Sequence, residues 1–198
     1  VGTIYSKAEL TALSETCHKY GLYLFLDGAR LGYGLAAPDN DLTLPEIAAL
    51  CDVFYIGGTK VGALFGEAVV IKNPELAQDF RYLIKQNGGM LAKGRLLGLQ
   101  FDALFTDGLY QEISAHAIAM AEKLREAFTA KGYNYLAPNR TNQIFVIVPD
   151  AHLAKISEQF EYSYDQRIDA THSCVRFCTS WATKEENVDA LIRCVEKL

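Results

Sequence analysis

Leu22-Tyr23-Leu24-Phe25-Leu26-Asp27-Gly28-Ala29-Arg30 and Val53-Phe54-Tyr55-Ile56-Gly57-Gly58-Thr59-Lys60 decide the fold of this chain. Each is a short apolar run that stops at a charge set among small residues. A continuous apolar run of this length suits a strand covered on both faces, as in a parallel sheet. Ser6-Lys7-Ala8-Glu9 precedes the first run and is a capping box, the signature of a helix start. Leu10, Leu13 and Cys17 follow at helical spacing, and Gly21 closes that helix. Between the two runs, Thr43 to Glu46 is a second box, opening a helix through Ile47 and Leu50. Ala68 to Ile71 is a third apolar run. Strand and helix in alternation predict α/β architecture with a mostly parallel sheet.

Further along, the pattern changes. Asn73-Pro74 starts a helix with proline at its tolerated first position, and Gly88-Gly89 interrupts it. A long helical stretch runs from about Leu91 to Lys131, broken near Asp107-Gly108 and closed by Gly132. Strands are expected at Gln143 to Val148 and Val175 to Thr179, with a helix near Ala151 to Phe160. Thr183 and Glu186 form the box of a final helix. These fewer, more separated strands suit a small α+β domain. The reading is therefore a large-domain portion over residues 1–92 and a small C-terminal domain over 93–198.

Composition excludes several classes. Half of the 198 residues are hydrophobic, and 15 more are glycine, which is above the globular norm and rules out disorder. The net charge of −5 offers no basic field for a nucleic-acid backbone. The longest apolar run, Gly21 to Leu26, is far short of the roughly 18 residues of a membrane span. Five cysteines (Cys17, Cys51, Cys174, Cys178, Cys194) in a chain this long suit a reducing, cytoplasmic compartment. Cys174 and Cys178 have no second ligand pair, so no metal is expected. The chain begins at Val1, almost directly before a helix, and the expectation is that it is the later part of something longer.

In open α/β sheets, ligands bind beyond the carboxyl ends of the strands. Asp27 and Lys60 both fall on that rim, with Gly28, Gly57, Gly58 and Gly62 leaving room for close approach. A lysine in a desolvated site serves as a nucleophilic amine. A nearby carboxylate holds a pyridinium nitrogen protonated. Together these are the two protein groups that a pyridoxal phosphate site requires. Taken singly, each has a plainer reading: a solvated loop lysine, and a turn-forming aspartate.

Leu26-Asp27-Gly28-Ala29-Arg30-Leu31 and Gly57-Gly58-Thr59-Lys60-x-Gly62-Ala63 resemble the threonine aldolase and β-eliminating lyase group of fold-type I pyridoxal phosphate enzymes. The likeness continues at Gly88-Gly89-Met90, Thr141-Asn142 and Val175-Arg176-Phe177. It implies that Asp27 pairs with the pyridine nitrogen and that Lys60 is the Schiff-base lysine. It implies that Arg30 and Arg176 hold the substrate carboxylate, and that Thr59, beside Gly58, places a hydroxyl near the cofactor phosphate. Gly88-Gly89-Met90, Lys93 and Arg95 would reach a neighbouring subunit's phosphate, in a homodimer or homotetramer. The chain departs from the group in reading Gly-Thr-Lys where many threonine aldolases have a serine before the lysine. It also lacks the group's early phosphate loop and ring-stacking residue. His18, His116, His152 and His172 are read as surface or helix-face residues.

The resemblance implies aldol cleavage of a β-hydroxy amino acid such as threonine to glycine and an aldehyde. No base for the β-hydroxyl proton is identified. Two alternatives stay open here. One is another pyridoxal phosphate-dependent lyase or aminotransferase, since the same Asp and Lys serve all of these. The other is an inactive piece that folds only with its missing half or in a dimer, with exposed apolar surface.

Overall fold

The computed structural model describes residues 2–198, which form two compact units. One comprises residues 5–35 and 40–112; the other comprises the N-terminal residues up to Ile4, Ala36–Asp39 and Ile113–Leu198.

The first unit opens with helix α1 (Lys7–Lys19), whose box is formed as expected: Glu9 N–H donates to Ser6 Oγ at 3.3 Å, and Ser6 N–H donates to Glu9 Oε2 at 2.8 Å. Strand β1 (Phe25–Leu26) leads through Asp27 into helix α2 (Leu31–Leu35). Helix α3 (Leu44–Leu50) has Pro45 in its first turn, and Thr43 N–H donates to Glu46. Strands β2 (Val53–Gly57) and β3 (Glu67–Ile71) complete a three-stranded sheet of order β1-β2-β3. Leu10 of α1, Ile47 of α3 and Phe54 of β2 form its core with Leu42 and Cys51.

Two expectations change here. The sheet pairs β1 with β2 in parallel but β2 with β3 antiparallel. A loop of residues 58–66, with no crossover helix, joins β2 to β3, and a parallel return needs a longer connection. The run Leu22–Leu26 is not covered on both faces: Leu22 and Phe25 are each 58% exposed. Side chains alternate along the strand, so Leu24 and Leu26 reach the core cluster while Phe25 lies on the opposite face beside Tyr55.

A 3-10 turn (Pro74–Ala77), helix α4 (Phe80–Gln86) and helix α5 (Arg95–Phe105) follow. Asp107 and Gly108 then take φ of 51° and 75°, the left-handed conformation that ends one helix and re-aims the chain. Helix α6 (Leu109–Ala130) begins directly after them. The compact units divide inside α6, at 112/113. Helix α5 stays with the first unit because Gln100 binds the loop after β2: its Oε1 accepts from Leu64 N–H at 2.7 Å, and its Nε2 donates to Phe65 O at 3.2 Å.

The second unit is an antiparallel sheet of order β4-β5-β7-β6, covered on one face by helices. Its strands are β4 (Asn134–Tyr135), β5 (Gln143–Pro149), β6 (Ser163–Arg167) and β7 (His172–Cys178). Ile144, Val146 and Val148 of β5 and Val175 and Phe177 of β7 alternate inward against Phe128 of α6, the two-residue period of a strand, while Phe145 and Cys174 are buried on the other face. Helix α7 (Asp150–Ile156) ends earlier than expected, and helix α8 (Glu185–Glu196) closes the chain. Its N-cap is Lys184 and its Thr183 box is absent; Thr183 Oγ1 instead accepts from Ser180 N–H at 2.8 Å. Among the described residues no helix is long and apolar enough to cross a membrane.

Candidate active site

The β1–β2 register sets Leu26 beside Phe54, and one step further on it sets Asp27 beside Tyr55. The Tyr55 hydroxyl donates to Asp27 Oδ1, and Ala29 N–H donates to the same oxygen at 3.0 Å. These hydrogen bonds, Tyr55 first, hold the Asp27 carboxyl below the usual aspartate range, with Lys60 and Arg30 adding favourable charge. Asp27 is therefore ionised at neutral pH. Burial, reinforced by Asp27, pushes the Tyr55 phenol up to about 12.

Glycine is required where the two strand ends meet. Gly57 N–H donates to Gly28 O at 2.9 Å. A Cβ on Gly28 would lie 1.7 Å from the Tyr55 carbonyl oxygen, and one on Gly57 would lie 2.4 Å from that of Ala29. No side chain fits at either position, so the backbones of the Asp27 and Lys60 segments touch directly.

Lys60 sits at the start of the loop after β2. Val61 N–H and Ala63 N–H both donate to Gly58 O, at 2.9 and 3.0 Å, and Val61 is fully buried beneath the turn. Gly58 N–H donates to Glu67 Oε2 at 2.7 Å. The loop is braced from below by two tyrosines, each 1% exposed. Tyr33 Oη donates to the Lys60 carbonyl at 2.5 Å. Tyr110 Oη donates to Gly57 O at 3.0 Å and accepts from Gly32 N–H at 3.1 Å. Burial raises the Tyr110 phenol far above its ordinary value, so it remains a donor.

The sequence singled out neither tyrosine, nor Tyr55, nor Gln100; apolar periodicity does not register a hydroxyl or amide whose partner is distant in the chain. The Lys60 side chain is exposed, and among the described residues neither Lys60 nor Arg30 has an ion-pair partner. Thr59 is exposed, with Oγ1 donating to Gly66 O at 3.3 Å. The first unit thus brings Asp27, Arg30, Gly58, Thr59 and Lys60 to one end of the β1–β2 pair.

Arg176 belongs to the other unit. It is half-buried on β7, with Nη1 donating to Gln143 Oε1 at 3.3 Å and its guanidinium 6.0 Å from the Phe145 ring centre. Its buried Nε has no hydrogen-bond partner among the described residues. A 340 Å³ cavity within this unit is lined by Arg176 together with Tyr162, Ser163, Cys178 and Asn187. The histidines are more engaged than surface residues need be. His18 contacts Asp52 at 3.1 Å, His116 the Thr183 carbonyl at 2.8 Å, His152 Tyr133 at 2.7 Å and His172 Asp169 at 3.1 Å.

An ionised carboxylate and a primary amine stand at adjacent strand ends, with glycine backbone between them and cations around the carboxylate. That donor set fits a flat, phosphorylated pyridine aldehyde: the carboxylate suits a protonated ring nitrogen, and the amine suits the aldehyde. Among the described residues no group of three or more His, Cys, Asp or Glu is placed to hold a metal.

Comparison with known proteins agrees with this chemistry. A low specificity L-threonine aldolase of Pseudomonas aeruginosa is 31% identical over 98% of this chain, which spans 55% of that protein. One from a Pseudomonas species is 33% identical, again over 55% of its length. The chain thus spans about half the length of the curated relatives it matches. The solved threonine aldolase of Leishmania major superposes over the whole chain with a TM-score of 0.97 and 43% identity, the chain covering 58% of it. An aspartate aminotransferase variant from Thermus thermophilus, 17% identical with a TM-score of 0.65, shares the fold alone. The family model of the beta-eliminating lyases matches residues 1–151, and the chain belongs to that family.

Proposed function

We propose that the protein carrying this chain is a pyridoxal phosphate-dependent lyase. It cleaves the Cα–Cβ bond of a β-hydroxy amino acid such as threonine, giving glycine and an aldehyde. The observation that carries this reading is the pair Asp27 and Lys60, set on neighbouring strand ends whose glycine backbones touch. Its likeness to threonine aldolases supports the same reading. Pyridoxal phosphate, when bound, supplies a reactive aldehyde and a conjugated ring that accepts the electron pair left on Cα.

Asp27, ionised at neutral pH, holds the ring nitrogen and keeps a proton on it. Lys60 offers the amine that anchors the aldehyde. Thr59 offers a hydroxyl, and Gly58 an unobstructed backbone, to the phosphate. Arg30 and Arg176 each offer a planar guanidinium to the substrate carboxylate, the geometry suited to a two-oxygen acceptor. In this reading the first unit is the remainder of a cofactor-binding large domain and the second is a small C-terminal domain. The assembly is a homodimer or homotetramer, supported by exposed apolar side chains such as Leu64 and Tyr82. The compartment is cytoplasmic, supported by five cysteines that are all free.

Absorbance after addition of pyridoxal phosphate tests the reading. The expected result is a yellow band, absent in Lys60→Ala and fixed covalently to Lys60 by borohydride, with glycine and acetaldehyde formed from threonine. Pyruvate and ammonia from serine, with no glycine from threonine, would overturn the substrate. A band unaffected by Lys60→Ala would overturn the site.

A further inference from the structure

We propose that Tyr55 is a positioning residue: its hydroxyl pins Oδ1 of Asp27, so that Oδ2 is the oxygen presented to a protonated ring nitrogen. The inference deepens the functional reading above and rests on it.

The register of the parallel pair makes Tyr55 and Asp27 side-by-side neighbours on one face of the sheet. The Tyr55 ring is steadied by Phe25, with ring centres 6.0 Å apart. Asp27 Oδ1 takes two donors, the Tyr55 hydroxyl and Ala29 N–H, whereas Oδ2 takes none among the described residues. Two donors on one oxygen fix the rotation of the carboxylate and leave the lone pairs of the other oxygen for a ligand. The charged groups facing Asp27 are Lys60, from the loop after β2, and Arg30, from its own turn; Tyr55 also faces Glu67 of β3. The two cations favour an ionised Asp27 from any direction. The hydroxyl adds what they do not supply, a fixed orientation. Because burial and Asp27 hold the phenol near 12, it remains a donor across the working range of pH.

The test uses the holoenzyme with pyridoxal phosphate as the probe. Cofactor dissociation constants and the absorption maximum of the bound cofactor are measured between pH 5.5 and 8.5. The variants are Tyr55→Phe, Asp27→Asn, their combination, and Lys60→Ala. Phenylalanine keeps the ring against Phe25 and removes only the hydroxyl. Tyr55→Phe is expected to weaken cofactor binding by about three- to tenfold, the size of one hydrogen bond to a charged group at a partly exposed site. It should also move the absorption maximum, and its effect should be the same across this pH range, because Asp27 stays ionised throughout it. Asp27→Asn should weaken binding further, and the double variant should match it, because the phenol acts through Asp27 alone.

A Tyr55→Phe protein with wild-type affinity and spectrum would overturn the proposal. So would a double variant that loses as much again as the single one. Should Tyr55→Phe misfold, 3-fluorotyrosine at position 55 replaces it: a shifted absorption maximum supports the proposal and an unchanged one overturns it. If Asp27→Asn and Lys60→Ala both bind cofactor as the wild type does, the reading of the site itself fails, an outcome distinct from a silent Tyr55.

Discussion

Tyr33 Oη donates a 2.5 Å hydrogen bond to the main-chain carbonyl of Lys60. The tyrosine stands at the centre of α2, directly after the Asp27–Arg30 segment, and is 1% exposed. The two segments that carry the candidate chemistry are thus tied by a partly buried bond as well as by Gly28 and Gly57. The bond acts on the backbone of Lys60 and leaves its side chain free to react.

Tyr33→Phe tests this tie. The ring still fills its site, but the Lys60 carbonyl loses its donor. Losing a hydrogen bond at a partly buried acceptor costs about 1 kcal/mol, so equilibrium denaturation should show a loss of that size. Borohydride trapping of pyridoxal phosphate on Lys60 should slow in parallel, because the loop samples other conformations. Unchanged stability would mean that water replaces the phenol and that the loop is held from elsewhere.

What the sequence disclosed, and what it hid, follows from the range of each interaction. Asp27 and Lys60 were legible because a charge that ends an apolar run is a local signal. Gly28 was legible as a place for close approach, although the atom it spares, the Tyr55 carbonyl, is known only from the register. Tyr33, Tyr55 and Tyr110 were not legible. Their rings look like core, and their hydroxyl partners lie between 27 and 78 residues away. Strand β6 was missed because all five of its residues, Ser163 to Arg167, are exposed and all but Tyr164 are polar, so no alternation marks it. The direction of β3 was missed for another reason: an apolar run reports burial, and only the length of the connection reports whether a strand runs parallel.

Gly28→Ala is the sharpest packing test. The new Cβ would meet the Tyr55 carbonyl oxygen at 1.7 Å, which no rotamer change relieves, since both partners are backbone. Separating the strands would break the Gly57 N–H to Gly28 O bond and displace Asp27 from Lys60. A loss beyond about 4 kcal/mol is expected, at the extreme of single substitutions, visible as insoluble expression or a collapsed Tm. Gly21→Ala is the control, because nothing lies within 4 Å of its Cβ position. It carries only the cost of its positive φ of 67°, about 1–2 kcal/mol.

Asp52 makes the first unit sensitive to acid. Its Oδ2 accepts from Leu24 N–H at 2.8 Å and contacts His18 Nε2 at 3.1 Å, joining the residues that lead into β1 and β2 to α1. The Leu24 amide foremost, and His18 after it, lower the Asp52 pKa. A carboxylate whose folded pKa is depressed contributes stability that is present above its unfolded value. That contribution is lost as the pH falls through the folded value. Asp52→Asn should therefore cost about 1 kcal/mol at pH 7. The gap from wild type should close on acidification below about pH 4, the ordinary aspartate value. Urea denaturation at several pH values measures it; a gap that stays constant with pH would show that the carboxylate charge is not what Leu24 and His18 recognise.

Arg176 separates a substrate role from a structural one. Its contacts within its own unit are modest: Gln143 Oε1 at 3.3 Å, Ser163 Oγ at 3.4 Å and the Phe145 ring. Its Nε has no partner there although it is buried. A guanidinium that served only to stabilise β7 would be expected to spend its best-buried donor within the protein. Arg176→Lys keeps the charge and the aliphatic stem but removes the planar fork. If the fork holds the substrate carboxylate, KM for threonine should rise about a hundredfold, two charge-assisted hydrogen bonds' worth. Cofactor affinity and Tm should stay near the wild type. A fall in Tm with KM unchanged would assign Arg176 to the sheet instead and leave Arg30 as the carboxylate's partner.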